Sequence, residues 1–305
     1  MNRWRSYFEL LRLPAVFTAM ADVLMGYLVT HGDLRPFSHS GFLVAASAML
    51  YLAGMALNDY FDADLDAIER PQRPIPSGRL TLRAAGTLGW VLLFGGVLLA
   101  LFVASVTGEA APFCVAVSLA CCIYFYDALH KKLPGGPILM GFCRSLNVLL
   151  GMSLTTAAGS MTTPYFWTYP QIALAVGIGT YIVGVTIFAR TEAGQSSRRQ
   201  LSAGIAIMVA GIALLGFGAT HVGNESHYRW IVWLVIAAYV VLRHGVALAT
   251  PNPRAVQRSV RHALRMLIFL DSVVAFEAAP HSSGSLFILL LYVPMLILEY
   301  WFSTT

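Results

Sequence analysis

Three observations predict an all-α membrane protein, a bundle of ten candidate transmembrane helices. Charged residues make up 11% of the chain, against about a quarter in an ordinary soluble domain. Mean hydropathy is +0.68, and apolar runs recur at about the 20-residue length that a bilayer crossing needs. The basic residues collect between alternate runs, as the positive-inside rule requires.

Taken in order, the first run covers residues 13–30 and follows Arg3, Arg5 and Arg12. Signal peptides begin this way, but no small-residue cleavage site follows and many further runs do. It reads as an uncleaved first span with a cytoplasmic amino terminus. The second span, 41–60, is apolar from Gly41 to Leu57 and ends in the acidic stretch Asn58 to Asp66. Pro71, Pro74, Pro76 and Gly78 then break the chain into an irregular loop before the third span, 84–107. Spans 110–127 and 136–158 hold Cys114, Cys121 and Cys122 in one and Cys143 in the other. Without a CxxC pair these cysteines are expected to be small core residues. Spans 170–189, 200–220 and 229–249 follow. Asp271 and Glu277 interrupt 264–280, which Pro280 ends, and 285–302 closes the set. No repeat, low-complexity tract or soluble domain is visible, so residues 1–305 are expected to form a single integral-membrane domain.

Alternating these spans from a cytoplasmic start leaves only Arg35 and Arg229 outside, with Arg144 inside a span, among the 20 basic residues. The net charge of +5 is therefore a signature of membrane orientation and not of a nucleic-acid partner. The alternation also brings the acidic stretch, the Arg70–Arg83 loop, Lys131, Lys132, Arg190 and Glu192 to one membrane face, where they can build one pocket.

The chemistry is concentrated in NDYFDADLD, residues 58–66. Counting Glu69, five of the chain's 15 acidic residues follow within this stretch and just beyond it. On a helix, positions three and four apart share a face, so Asp59, Asp62 and Asp66 converge while Asp64 points elsewhere. Converging carboxylates repel unless a cation stands between them. Oxygen-only donors suit a hard ion, and Mg2+ is commonly held by one or two carboxylates plus substrate phosphates. Arg70, Arg73, Arg79 and Arg83 come next and suit an anionic phosphate. His221, His227, His244 and His262 lack metal-ligand spacing such as HExxH, and no Ser or Cys has a nucleophile elbow.

The run NDYFDADLDAIERPQRPIPSGRLT resembles the first aspartate-rich motif of the UbiA superfamily of intramembrane prenyltransferases. Its Asn-Asp-x-x-Asp-x-x-x-Asp pattern falls on Asn58, Asp59, Asp62 and Asp66, and the Arg-Pro-x-x-x-Gly loop on Arg73 to Gly78. Tyr126, Asp127 and Lys131 resemble the close of the family's fourth helix; Arg144, Asn147 and Gly151 resemble a pattern along its fifth. The second aspartate-rich motif is missing: FARTEAGQSSRR, residues 188–199, offers Glu192 alone. That sequence resembles a divergent branch found in ebo-type gene clusters. The resemblance implies a nine-span bundle, so a tenth span would be an addition.

It also implies the activity: Mg2+-dependent transfer of a prenyl group from an isoprenyl diphosphate to an aromatic or otherwise nucleophilic acceptor, with release of pyrophosphate. Asn58, Asp59, Asp62, Asp66 and Glu192 become the expected metal set, with Asp62 and Asp66 central to catalysis. Arg73, Lys131, Arg144, Asn147, Arg190 and Arg198 become the expected diphosphate contacts, with Lys131 and Arg190 also catalytic. Asp127 either takes a proton from the acceptor or orients Lys131. Arg144 and Asn147 lie inside a span, where a charge is costly; they serve the site or pair structurally with Asp22 or Asp271. Tyr51, Tyr60, Tyr124, Tyr126 and Tyr181 are either cation-stabilising faces or ordinary packing aromatics. Two other classes remain: a secondary transporter binding a coupling ion through its carboxylates, and a CDP-alcohol phosphotransferase, whose aspartate array is absent.

Overall fold

The computed structural model describes residues 3–129, 135–155, 167–190, 197–222 and 229–302, and among them every regular element is helical. In chain order these are α1 (Arg3–Leu10), α2 (Val16–His31), α3 (Phe37–Phe61), α4 (Ala63–Glu69), α5 (Leu82–Thr107), α6 (Ala111–Leu129) and α7 (Gly136–Gly151). The chain continues as α8 (Tyr169–Ala189), α9 (Arg198–Val222), α10 (Arg229–Ala249), α11 (Pro253–Ala278), α12 (Gly284–Leu290) and α13 (Tyr292–Trp301). Eight of the described segments are long and apolar enough to cross a membrane, the last being Gly284–Trp301, and α7 is a shorter apolar helix.

Three expected spans differ in form. The segment expected at 264–280 begins much earlier: Asn252 caps α11, its side chain accepting from Ala255 N at 2.8 Å, and Pro253 occupies the first turn, where its missing N–H costs nothing. Its first half carries Arg254, Arg258, Arg261 and Arg265, so α11 is long enough to cross but not uniformly apolar. The segment expected at 285–302 is two helices broken at Leu291. Pro294 causes the break, having no N–H to give and a ring that clashes with the carbonyl four residues before it, that of Leu290. Finally, α7 ends at Gly151 instead of continuing to 158, with Met152 N bonded to Val148 O at 3.2 Å; residues 156–166 lie outside the described set.

The bundle is organised around α2, which packs on α3, α7 and α11. Close crossings rest on glycine. A Cβ on Gly184 of α8 would stand 2.6 Å from Met208 N and 2.7 Å from Gly204 O of α9. A Cβ on Gly141 of α7 would stand 2.5 Å from Gly179 O of α8. Small residues let helices approach where lipid supplies no hydrophobic drive for association. The outer faces are apolar, as Val91, Phe94 and Leu98 of α5 and Leu234, Val235 and Leu242 of α10 show. The cysteines divide between the two environments: Cys122 is buried and Cys143 half-buried, but Cys114 and Cys121 are exposed. Those two are corrected from core to outward-facing residues, since they lie on the outer side of α6.

Candidate active site

The acidic stretch straddles the end of α3 and all of α4. Asp62 is where the helix axis breaks (φ −92°, ψ 1°), yet the i to i+4 hydrogen bonding continues across it. Asp62 N reaches Asn58 O at 2.9 Å, Asp66 N reaches Asp62 O at 2.8 Å and Arg70 N reaches Asp66 O at 2.8 Å. That continuity preserves the helical register, so Asp59, Asp62 and Asp66 are buried together on one face while Asp64 is exposed.

The irregular loop folds back over this face. Ser77 N bonds to Arg73 O, Leu80 N to Pro74 O, and Gly78 takes φ 73°, a left-handed conformation open to glycine without penalty. The loop is pinned to α1 by Arg79, whose guanidinium pairs with Glu9. Arg73 is thereby aimed at the acids: its Nη1 lies 3.1 Å from Asp59 Oδ1 and 2.6 Å from Asp66 Oδ2. A second arginine arrives from the amino-terminal side, with Arg12 Nη2 donating to Asp59 Oδ1 at 3.2 Å. Arg12 sits at φ 44°, a strained backbone for a residue with a side chain, costing on the order of 1–3 kcal/mol. The sequence reading missed Arg12 as a site residue because its position before the first span is also explained by topology.

Behind these pairs lies a cavity of about 320 Å³, at the small end of ligand pockets, roughly 300–1,000 Å³. Arg12, Asn58 and Asp127 stand at one end of it, and Thr18, Arg144 and Asn147 line it further in. From Asn58 back to Tyr51 along α3 is about 10 Å at the helical rise of roughly 1.5 Å per residue. Tyr51 and Tyr126 are on the cavity wall, whereas Tyr60 and Tyr124 line a separate outward groove with Trp90 and Phe94. Tyr181 belongs to neither lining; it is fully buried and donates to Ala263 O at 3.0 Å, a packing role.

Asp127 is buried, takes Asn58 Nδ2 on Oδ1 at 3.4 Å and keeps Oδ2 without a donor among the described residues. Arg144 and Asn147 are engaged by their neighbours. Arg144 Nη1 lies 2.9 Å from Asp22 Oδ2, and its Nη2 donates to Thr18. Asn147 Nδ2 donates to the same Asp22 oxygen at 3.0 Å and to Ala19 O at 2.9 Å, while Ser47 donates to Asn147 Oδ1 at 2.6 Å. Both residues thus pair with Asp22 while also lining the cavity. Arg190 ends α8 next to the cavity-lining Ala189 but is itself exposed, as is Arg198 at the start of α9. Lys131 and Glu192 lie outside the described residues.

Among the described residues, no three of His, Cys, Asp and Glu stand close enough to hold an ion unaided, and Arg73 Nη1 lies between Asp59 and Asp66. The donor chemistry nonetheless fits a hard divalent cation. Three buried carboxylates share one face, and a cation bound jointly with substrate phosphates needs only one or two of them.

Comparison with known proteins gives concordant results. The UbiA prenyltransferase family model matches residues 19–273. Digeranylgeranylglyceryl phosphate synthase of Methanosarcina barkeri is 33% identical over 166 residues, covering 49% of this chain and 55% of its own. The same enzyme of Ignicoccus hospitalis is 35% identical over 159 residues, covering 51% and 49%. The chain thus spans about half the length of these curated relatives. Protoheme IX farnesyltransferase of Parvibaculum lavamentivorans is 24% identical, covering 95% of this chain and 94% of its own. Among solved structures, a digeranylgeranylglyceryl phosphate synthase superposes with a TM-score of 0.66 at 20% identity, covering 92% of this chain and all (100%) of the other. A UbiA homologue of Archaeoglobus fulgidus bound to DMAPP and Mg2+ gives 0.59 at 14% identity, covering 88% and 99%. At these identities the structural likeness concerns the fold.

Proposed function

This chain belongs to the UbiA prenyltransferase family, and from that premise we propose that it moves a prenyl group from an isoprenyl diphosphate to a small-molecule acceptor inside the membrane, with Mg2+. The observation that carries this reading is the pairing of Arg12 and Arg73 with buried carboxylates at the mouth of the cavity. Asp59, Asp62 and Asp66 outnumber Arg12 and Arg73 three to two, so a divalent cation bound among them would leave this end of the site net positive toward a diphosphate.

The reaction breaks the allylic C–O bond of the donor, and both electrons leave with pyrophosphate. The acceptor supplies the electron pair for the new bond and gives up a proton, which passes to the free oxygen of Asp127. Mg2+, when held by Asp59, Asp62 and Asp66 with Asn58 beside them, supplies neutralisation of charge on the leaving group. Arg73 and Arg12 exchange carboxylate oxygens for phosphate oxygens and hold the leaving group in place, aimed donors of the kind that stabilise developing charge. The cavity keeps water from the allylic cation, and the rings of Tyr51 and Tyr126 offer it an electron-rich face within reach of about 6 Å. Asp127, fixed on one oxygen by Asn58, accepts a hydrogen bond from the acceptor through the other. Lys131, which resembles the lysine closing the family's fourth helix, would add positive charge to the site; Arg190 and Arg198 would add more, and Glu192 would stand in for the missing second acidic motif, these three being departures from the family pattern. The arginine bias supports a cytoplasmic amino terminus and a cytoplasmic site. Family membership weighs against the transporter and phosphotransferase readings.

The test uses purified protein in nanodiscs with geranyl, farnesyl or geranylgeranyl diphosphate and Mg2+, following pyrophosphate release and diphosphate binding. Metal-dependent binding or release, abolished by EDTA and by Asp62→Ala, is the expected result. Absence of both with all three donors overturns the reading.

A further inference from the structure

Where α2, α7 and α11 meet, Asp22 and Asp271 face one another with no exposure at all. Asp22 Oδ2 carries Arg144 at 2.9 Å and Asn147 at 3.0 Å. Its other oxygen, and both oxygens of Asp271, have no donor among the described residues. The two carboxyl groups act directly on each other, and ionised carboxylates are acceptors only. The charged groups facing the pair are each other and Arg144, so two acids stand against one base. A surplus charge in a dry interior is strongly disfavoured. A single proton corrects the charge and supplies the missing donor together.

We propose that Asp22 and Asp271 share one proton, resident on Asp271 and donated to Asp22, so that Arg144, Asp22 and Asp271 form a neutral triad behind the deep end of the cavity. Asp22 is then the counter-ion that positions Arg144, and Asp271 is the neutral partner that positions Asp22. The triad also sets what the deep end accepts. Arg144 has its charge already matched, so this part of the cavity takes an uncharged hydroxyl or carbonyl of the acceptor, and the diphosphate stays with Arg12 and Arg73. This last step rests on the transferase reading, whereas the shared proton does not.

Infrared spectroscopy of the protein in nanodiscs tests the proton directly. The wild-type spectrum should contain a protonated-carboxyl carbonyl band that is absent from Asp271→Asn and insensitive to mildly acidic or alkaline buffer. Asp271→Asn should keep a thermal midpoint near that of wild type, because the amide is neutral and still donates. Asp271→Leu, which cannot donate, should melt lower. In Asp22→Asn the remaining carboxyl becomes the only partner of Arg144 and ionises, so the band should vanish there too. No band lost in Asp271→Asn, or Asp271→Asn as unstable as Asp271→Leu, overturns the proposal. Neither readout depends on turnover, so a failed prenyl-transfer assay leaves the result intact.

Discussion

Arg73 holds Asp66 at 2.6 Å through the same Nη1 that reaches Asp59 at 3.1 Å. One loop guanidinium therefore neutralises part of the face proposed to hold the divalent cation. Two opposite effects are expected of Arg73→Ala. Turnover should fall roughly 10²–10³-fold, the usual cost of one aimed donor to a charged transition state. Mg2+ binding without substrate should tighten, because the competing cation is gone. Calorimetric titration with Mg2+ alone reads the second effect, and unchanged or weakened affinity would show that Arg73 and the metal do not compete.

Asp62→Asn and Asp66→Asn should each abolish metal-dependent pyrophosphate release while the protein still melts cooperatively. The amide preserves size and hydrogen bonding but not the charge a hard cation needs. Full activity in both variants would remove the metal from the acidic face.

On the cavity wall, Tyr51→Phe should retain most of the turnover and Tyr51→Leu should lose about tenfold. The ring face is worth roughly 0.5–2 kcal/mol to a nearby cation, and about 1.4 kcal/mol corresponds to one factor of ten. Equal losses in the two variants would point to the hydroxyl instead.

Two glycines on neighbouring parts of the bundle should behave oppositely. A Cβ at Gly184 meets Met208 N at 2.6 Å, whereas at Gly245 it meets nothing within 4 Å. Gly184→Val should lower the melting temperature, overpacking typically costing about 1–3 kcal/mol. Gly245→Ala should be neutral or stabilising by roughly 0.5–1 kcal/mol, since Gly is the poorer helix former.

Glu192→Gln should raise the Mg2+ concentration needed for half-maximal pyrophosphate release if Glu192 contributes to the metal site. An unchanged requirement assigns the cation to the Asp59–Asp66 face alone.

The helical period was enough to separate Asp59, Asp62 and Asp66 from Asp64, because the hydrogen-bond register survives the axis break at Asp62. Arg12 was not legible: an arginine before a first span satisfies the orientation rule whether or not it touches anything. Asp22, Arg144 and Asp271 are separated by more than a hundred residues along the chain at each step, and only packing of α2, α7 and α11 decides which of them pair. The early start of α11 and the break before α13 were written locally, in Asn252-Pro253 and in Pro294. Hydropathy windows measure how greasy a segment is and are blind to where its backbone hydrogen bonds begin and stop.

The polar burden of α11 bears on how the protein is made. A helix with arginines along its first half and Asp271 in its second is a poor candidate for independent entry into the bilayer, an aspartate at mid-depth opposing insertion by roughly 2.5–3.5 kcal/mol. Asp22 and Arg144, its buried partners, belong to helices synthesised long before it. Biogenesis of this chain is therefore expected to be sequential and templated, the late helix lodging where the earlier helices have prepared a polar berth. Glycosylation mapping of truncated nascent chains should find α11 inserting efficiently behind α2 and α7, and poorly when transplanted alone.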